Sequence, residues 1–227
     1  YADLRQALCE RHGLYRAIQL PDRFFASTEA RTHIFYLRRQ GEVQDQVRLS
    51  GASAMGELLD EITITPDIAR HRLDYSFHVQ AEVSPQSTAT LGDFGAEIVR
   101  GLFTHQECRD KAFPFFHTTD FKRFADGRVA YPAGKNFPGR WVAQQDDFLV
   151  PRVGARCLHY AAKVVSGHAV LTDCVYRIRV PAHWRQAVWK ALSSVEGSVW
   201  RVQAAHGVCA RVLGKRTLLD MPIRVPE

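Results

Sequence analysis

Basic and polar side chains recur at the turns of this chain, and their types fit contact with a polyanion. Arg152, Arg156 and His168 stand beside Pro151, Gly154 and Gly167, at the ends of short apolar runs between residues 146 and 181. Arg100, His117, Thr118 and Thr119 flank a second turn. An arginine presents a planar fork that matches guanine O6 and N7 bidentately, and such a pair is worth ~1–3 kcal/mol of discrimination between bases. Arg152, Arg156 and His168 are therefore the expected base readers. Lys122, Arg123, Lys135, Arg140, Arg211, Lys215 and Arg216 are expected to contact phosphates, which adds affinity and salt dependence but no sequence information. Each also admits the plainer reading of a solvated surface charge. Arg177 and Arg179 share one strand face, which leaves a structural role open for either.

Other chemistry has less support. Close Cys/His pairs occur at Cys9-x-x-His12, His105-x-x-Cys108, Cys157-x-His159 and His206-x-x-Cys209. A structural zinc wants four ligands, so two pairs would have to meet in space. Five scattered cysteines without a C-x-x-C read instead as free thiols in a reducing cytoplasm, and no metal ligand is expected. Nothing places a cysteine nucleophile beside a histidine base. No Glu-x-Lys occurs in the basic part, and no nuclease centre is read there. There is no G-x-G, and the single asparagine, Asn136, lies in K-N-F-P-G. No residue is assigned a catalytic role.

With 227 residues, 46% of them hydrophobic, the chain can bury one large core or two modest ones. No run of ~18 apolar residues is present to span a membrane, and nothing resembles a signal peptide. The first residue is Tyr1, so a fragment of a longer protein is expected. Charge is uneven. Residues 1–93 hold 10 Lys/Arg and 13 Asp/Glu, a net −3, and residues 94–227 hold 20 and 11, a net +9, which together give +6. A basic piece of this size favours a polyanion. An anionic membrane is the weakest candidate, because the charges sit among strands and turns and not along one amphipathic helix.

The patterns that must position these groups are mixed. A helix is expected over 3–12 with Gly13 as its cap, then strands over 14–20 and 32–37, with the plain reading of Phe24-Phe25 being core. An apolar stripe of Met55, Leu58, Leu59 and Ile62 predicts a helix over 54–61. Residues 67–78 read as a turn with Leu73, Tyr75 and Phe77 packed down, and 84–90 as a linker. The central stretch carries strand-length runs at Phe148-Leu149-Val150, 160–165 and 175–180. A helix follows over 182–195, with Gly197 after its end, then a strand over 207–213 and a last helical turn capped by Thr217. Trp141, Trp184, Trp189 and Trp200 are expected in the core and not as stacking platforms.

Two stretches resemble known families. Arg5-x-x-Leu8, then L-Y-R-A-I-Q-L-P-D-R-F-F, then Thr32 before an apolar strand ending in Arg38-Arg39, resembles the tail of an adenine-specific DNA methyltransferase core. Arg72-Leu73-Asp74-Tyr75-Ser76-Phe77 looks like the junction that precedes a target-recognition domain. Residues 91–226 resemble such a domain of type I restriction specificity subunits and fused restriction-methylation enzymes. The matching landmarks, in order, are Arg100-Gly101, His117-Thr118-Thr119-Asp120, D-D-F-L-V-P-R-V-G from Asp146, G-H-A-V-L-T from Gly167, Ser193-Ser194, His206-Gly207, and L-L-D-M-P-I from Leu218. No single element is specific; the ordered set is what carries the likeness.

The resemblance implies an α+β chain. Residues 1–40 would be the end of a methyltransferase-like α/β core (a helix plus two strands), 41–90 a helical connector, and 91–227 a mixed-sheet target-recognition domain with flanking helices. It implies double-stranded DNA as partner, and a catalytic domain upstream in the same polypeptide that binds S-adenosylmethionine. The Asn/Asp-Pro-Pro-aromatic motif and the Gly-rich cofactor loop of that catalytic domain are not in this sequence, so the chain alone is expected to bind no cofactor and transfer no methyl group. A scaffold role, holding partner subunits through the 40–90 and 182–195 helices, is the alternative.

Overall fold

Leu8 and Cys9 on one side of the first helix, with Leu14 and Ala17 of the strand that follows, seed the first core. The computed structural model describes residues 2–22, 24–25, 30–38, 44–83 (backbone only at 80–83), 89–112, 114–124, 126–131, 139–207 and 210–224. The chain divides into two compact units, Tyr1–Pro85 with Gly207–Cys209, and Gln86–His206 with Ala210–Glu227. Both mix helices with sheets, so the fold is α+β.

The first unit contains α1 (Ala2–Glu10), β1 (Leu14–Gln19), β2 (His33–Leu37), β3 (Val47–Gly51), β4 (Ile62–Ile64), α2 (Pro66–His71) and α3 (Tyr75–Val83). Gly13, at φ 54°, supplies the left-handed residue that lets the chain leave α1 and enter β1. The sheet runs β2-β1-β3-β4, with β1 antiparallel to β2 and parallel to β3. Leu49, Ala69, Leu73 and Tyr75 close its core against α1.

This arrangement corrects four expectations. Residues 41–90 are not a connector, because β3 and β4 complete the sheet that β1 begins. No helix forms over 54–61: an Ala52↔Leu58 bridge closes a loop there, Ser53 Oγ accepts from the Met55 and Glu57 amides, and Gly56 has φ 84°. A serine that bonds its neighbours' backbone in this way competes with helix. The 67–78 segment is not a simple turn either. Thr65 caps α2 by accepting from the Ile68 amide, Pro66 opens the helix, and Leu73 and Tyr75 then pack inward. Phe24 and Phe25 stack edge-to-face on each other, each 52% exposed, and are not core residues.

The second unit holds β5 (Ala89–Thr90), β6 (Glu97–Arg100), α4 (His105–Asp110), β7 (Phe115–Phe116), β8 (Arg128–Ala130), β9 (Val142–Gln144), β10 (Phe148–Pro151), β11 (Ala162–Ser166) and β12 (His168–Leu171). After these come β13 (Val175–Arg179), α5 (Arg185–Ser193), α6 (Val195–Ala204), α7 (Lys215–Leu219) and β14 (Pro222–Ile223). Its main sheet runs β6-β13-β10-β11-β8, and smaller sheets run β7-β12-β9 and β14-β5. Phe148, Val150, Tyr176 and Ile178 face Val188 and Leu192 of α5 and Ala204 of α6. Leu149, Val164 and Val175, on the other face, meet Phe116, Ala143 and Leu171 of the smaller sheet. Burial on both faces explains why the β10 run is continuously apolar.

The helix expected over 182–195 begins as a 3-10 turn at Ala182–Trp184 and stops at Ser194, whose extended backbone (ψ 161°) and side chain cap α6 through the Gly197 amide. α6 escapes the hydrophobic pattern because Val195 and Val199 are exposed while Arg201 is fully buried. Arg201 donates to the carbonyls of Leu158, Leu192 and His159 at 3.1, 2.8 and 2.9 Å. The strand expected over 207–213 falls partly on 208–209, which lie outside the described residues; His206 and Val212 form an isolated bridge. Thr217 lies inside α7, whose cap is Gly214. Trp184, Trp189 and Trp200 pack on the main core and Trp141 on a small satellite, as expected.

Candidate nucleic-acid interface

Several strands of the second unit end together. Arg100 pairs with Tyr176, Pro151 with Val175, and Phe116 with Leu171, so the ends of β6, β7, β10 and β12 gather where β13 begins. The turn Thr172-Asp173-Cys174 joins β12 to β13 at that point. Gly101 is required beside it, since a Cβ there would overlap the Leu171 and Thr172 carbonyls.

Asp173 is the centre of the cluster. Its carboxylate accepts from Arg100 Nη2 at 2.9 Å. Its carbonyl accepts from Arg100 Nε at 3.1 Å and Arg152 Nε at 2.7 Å. Thr172, fully buried, shares a hydrogen bond with His117 Nδ1 at 2.9 Å, and Thr118 Oγ1 lies 3.3 Å from His117 Nε2. His105, in the first turn of α4, stacks on the His117 ring at 4.6 Å. Burial, with His105 beside it, pushes the His117 imidazole below its ordinary range. The ring is therefore held mostly neutral near pH 7, with one nitrogen donating and the other accepting.

Chain segments bring further basic residues to this end. The Gly154 amide donates to the Arg211 carbonyl at 3.0 Å and the Leu213 amide to the Arg152 carbonyl at 2.8 Å, so 211–213 runs beside 152–154 and delivers Lys215 and Arg216 at the start of α7. Both are exposed. Lys122 lies close enough to Cys157 and His159 to lower both; burial dominates and pushes the Cys157 thiol up to about 11.

The expected contacts thus divide. Arg100, His117, Thr118 and Arg152 meet around Thr172-Asp173. Thr119 and Arg123 flank the 3-10 turn at Asp120–Lys122, and Arg156 lies exposed in the loop after Arg152. Arg211 is only 7% exposed, which puts its guanidinium out of reach of a phosphate, and Lys135 lies outside the described residues. Arg140 and His168 are at the opposite end of the unit. There they line a cleft of about 450 Å³ with Glu97, Gln144, Arg177 and Arg179. Arg177 and Arg179 are both tied to carboxylates, Arg177 to Glu97 at 2.7 Å and Arg179 to both oxygens of Asp147 at 2.7 and 2.8 Å. Asp173 was not among the expected residues; an acid in a strand turn of a basic unit is the signal that could have found it.

Asp120-Phe121-Lys122 has the Asp-x-Lys spacing of nuclease centres. The structure uses Asp120 to close a turn, its Oδ2 accepting from the His117 amide at 2.7 Å, and the segment is one 3-10 turn. Among the described residues no three His, Cys, Asp or Glu side chains group as a metal site, and no helix is long and apolar enough to cross a membrane.

No protein-family model and no curated protein matches the chain. Solved structures give distant likenesses. The type IIG restriction endonuclease BpuSI aligns over 100% of this chain and 38% of its own, with 11% identity and a TM-score of 0.43. The HsdS subunit from Thermoanaerobacter tengcongensis aligns over 66% and 38%, with 17% identity and a TM-score of 0.41. The S subunit of a type I restriction-modification system from M. genitalium aligns over 60% and 33%, with 13% identity and a TM-score of 0.39. The chain thus spans less than two fifths of the length of each.

Proposed function

We propose that this chain supplies sequence-specific recognition of double-stranded DNA for adenine methylation in a restriction-modification system. The observation that carries this reading is the convergence of Arg100, Arg152, His117 and Thr118 on the Thr172-Asp173 turn, within a stretch of net charge +9 (20 Lys/Arg less 11 Asp/Glu over 94–227). A guanidinium anchored through Nε keeps its remaining N–H groups for base edges, in a geometry fixed before DNA arrives. Lys215, Arg216, Lys122 and Arg123 then serve as phosphate contacts that set register. The methyl transfer belongs to a catalytic domain upstream in the same polypeptide, which binds S-adenosylmethionine and flips the adenine in the cytoplasm, where its substrate DNA is.

Fluorescence anisotropy of labelled duplexes across a salt series tests this. The expected result is binding whose log affinity falls linearly with log salt. Negligible affinity for every duplex at low salt would sink the proposal. A protein-interaction role is a second reading, favoured by β2. That strand lies at a sheet edge with Ile34, Phe35, Tyr36 and Leu37 exposed at 44, 38, 38 and 45%, and an apolar edge is a template for pairing. Stable self-association in light scattering that duplex DNA leaves unchanged would favour that reading.

A further inference from the structure

The cleft at the far end of the second unit is separate from the Thr172-Asp173 turn. β13 reaches from Val175 at one to Arg179 at the other, roughly 13 Å along the strand. At about 450 Å³ it is of small-ligand size. Its wall carries Arg140, Arg177 and Arg179 with a single carboxylate, Glu97, and the polar Gln144 and His168. Glu97 bridges two of the guanidiniums: Oε1 accepts from Arg140 Nη2 at 2.6 Å and Oε2 from Arg177 Nη2 at 2.7 Å. Arg179 is occupied by Asp147.

Two features are not explained by the fold alone. Arg177 is 1% exposed, yet its Nε has no hydrogen-bond partner. A buried guanidinium N–H left unpaired is uncommon and costly. Arg140, by contrast, has a side chain 78% exposed and is drawn to the cleft mouth by Glu97. Two carboxylates, Glu97 and the buried Asp147 that lies 3.9 Å from Arg177 and binds Arg179, thus answer the three guanidiniums, and the cleft keeps a surplus of one positive charge. The Glu97 side chain is itself 40% exposed, so it can rotate away without leaving a void in the core.

We propose that this cleft is a phosphate site, in which the terminal oxygens of a phosphate ester take the place held by the Glu97 carboxylate beside Arg140 and Arg177. The group is a phosphate and not a second carboxylate because a tetrahedral anion has three terminal oxygens. It can meet both guanidiniums and still reach Gln144 or His168, whereas a carboxylate repeats what Glu97 already does. The phosphate is that of a small monoester such as a nucleoside monophosphate; a nucleic-acid backbone phosphodiester keeps only two non-bridging oxygens, as many as Glu97 already offers.

Calorimetric titration of the full chain with inorganic phosphate and with a nucleoside 5′-monophosphate, at ionic strength matched with chloride, tests the site. The expected result is saturable binding at one site, roughly tenfold weaker in Arg140→Ala through loss of a charge-assisted hydrogen bond. Binding should be tighter in Glu97→Gln, which removes the competing carboxylate. Repeating the titration with duplex DNA already bound separates the sources: unchanged affinity is expected for a small monoester, and lost affinity would assign the site to the nucleic-acid backbone and overturn the proposal. Heat no greater than chloride gives, or the same affinity in the parent chain and both variants, overturns it. Duplex binding at Arg100 and Arg152 is read in a separate titration, so either proposal can fail alone.

Discussion

Asp173 holds Arg100 through two contacts at once, its carboxylate to Nη2 at 2.9 Å and its own carbonyl to Nε at 3.1 Å. The same carbonyl takes Arg152 Nε at 2.7 Å. One turn residue thus orients two guanidiniums. Asp173→Ala removes the carboxylate and frees Arg100 to sample its rotamers, while the local field becomes more positive. The expected outcome is higher affinity for arbitrary duplexes together with a narrower spread of affinities between sequences. Enrichment from a random-duplex library measures both, and stability should change little, since exposed ion pairs are worth about 0–1 kcal/mol. An unchanged spread of affinities would count against Asp173 as the orienting residue.

Lys215 and Arg216 are exposed at the start of α7, whereas Arg211, four residues before Lys215, is buried. Substituting Lys215 or Arg216 with Ala is expected to reduce the slope of log affinity against log salt by about 0.9 each and to leave sequence preference alone. Arg211→Ala should leave the slope unchanged and lower the unfolding midpoint. Salt titrations and thermal melts on the three variants separate the two roles.

What the sequence made legible follows from local pattern. The runs of β1, β10 and β13 and the α1 cap at Gly13 are written in nearest-neighbour terms, and so were the turns that carry Arg100 and Arg152. Long-range pairing is not written that way. β3 pairs with β1 through residues 32 positions apart, as Arg16 with Arg48, and β4 follows on β3; their short polar-edged strands look like a linker. Likewise nothing local says that Arg201 is buried or that Arg140 and His168 sit at the far end from Arg152. The division of basic residues between two ends depends on sheet order, which composition cannot supply.

Arg201 joins α6 to the loop before β11 and to the end of α5 through three backbone carbonyls. Burial pushes its guanidinium down to about 10, far enough above neutrality to stay charged. Arg201→Met keeps much of the volume but leaves the carbonyls of Leu158, Leu192 and His159 without their donor. Each unpaired buried group costs about 1–3 kcal/mol, so a loss of about 3 kcal/mol or more is expected in the urea unfolding free energy. A loss below about 1 kcal/mol would show that water replaces the guanidinium.

Asp74 is the acid-sensitive point of the first unit. Burial raises its carboxyl, and Arg72 at 2.7 Å with Arg31 at 3.3 Å more than offset that, leaving it below the ordinary aspartate value. His33, 3.6 Å from the same carboxylate, is pushed below the ordinary histidine value chiefly by burial. Both depressions mean that the unfolded chain binds protons more readily, so stability falls as pH falls. The His33 contribution is lost first, once pH drops below the unfolded histidine value of about 6.5. The Asp74 contribution is complete above about 3.9 and disappears as pH falls through its lower folded value. Thermal midpoints are therefore expected to decline in two stages on acidification. His33→Gln should shrink the upper stage, with His117 and His159, whose imidazoles are depressed in the same direction, supplying the remainder. Asp74→Asn should lower the midpoint at neutral pH and shrink the lower stage, to which Asp93, Glu97, Glu107 and Glu196, also held below their ordinary values, contribute the rest. A midpoint independent of pH between 7 and the aspartate range would contradict the burial of neutral His33.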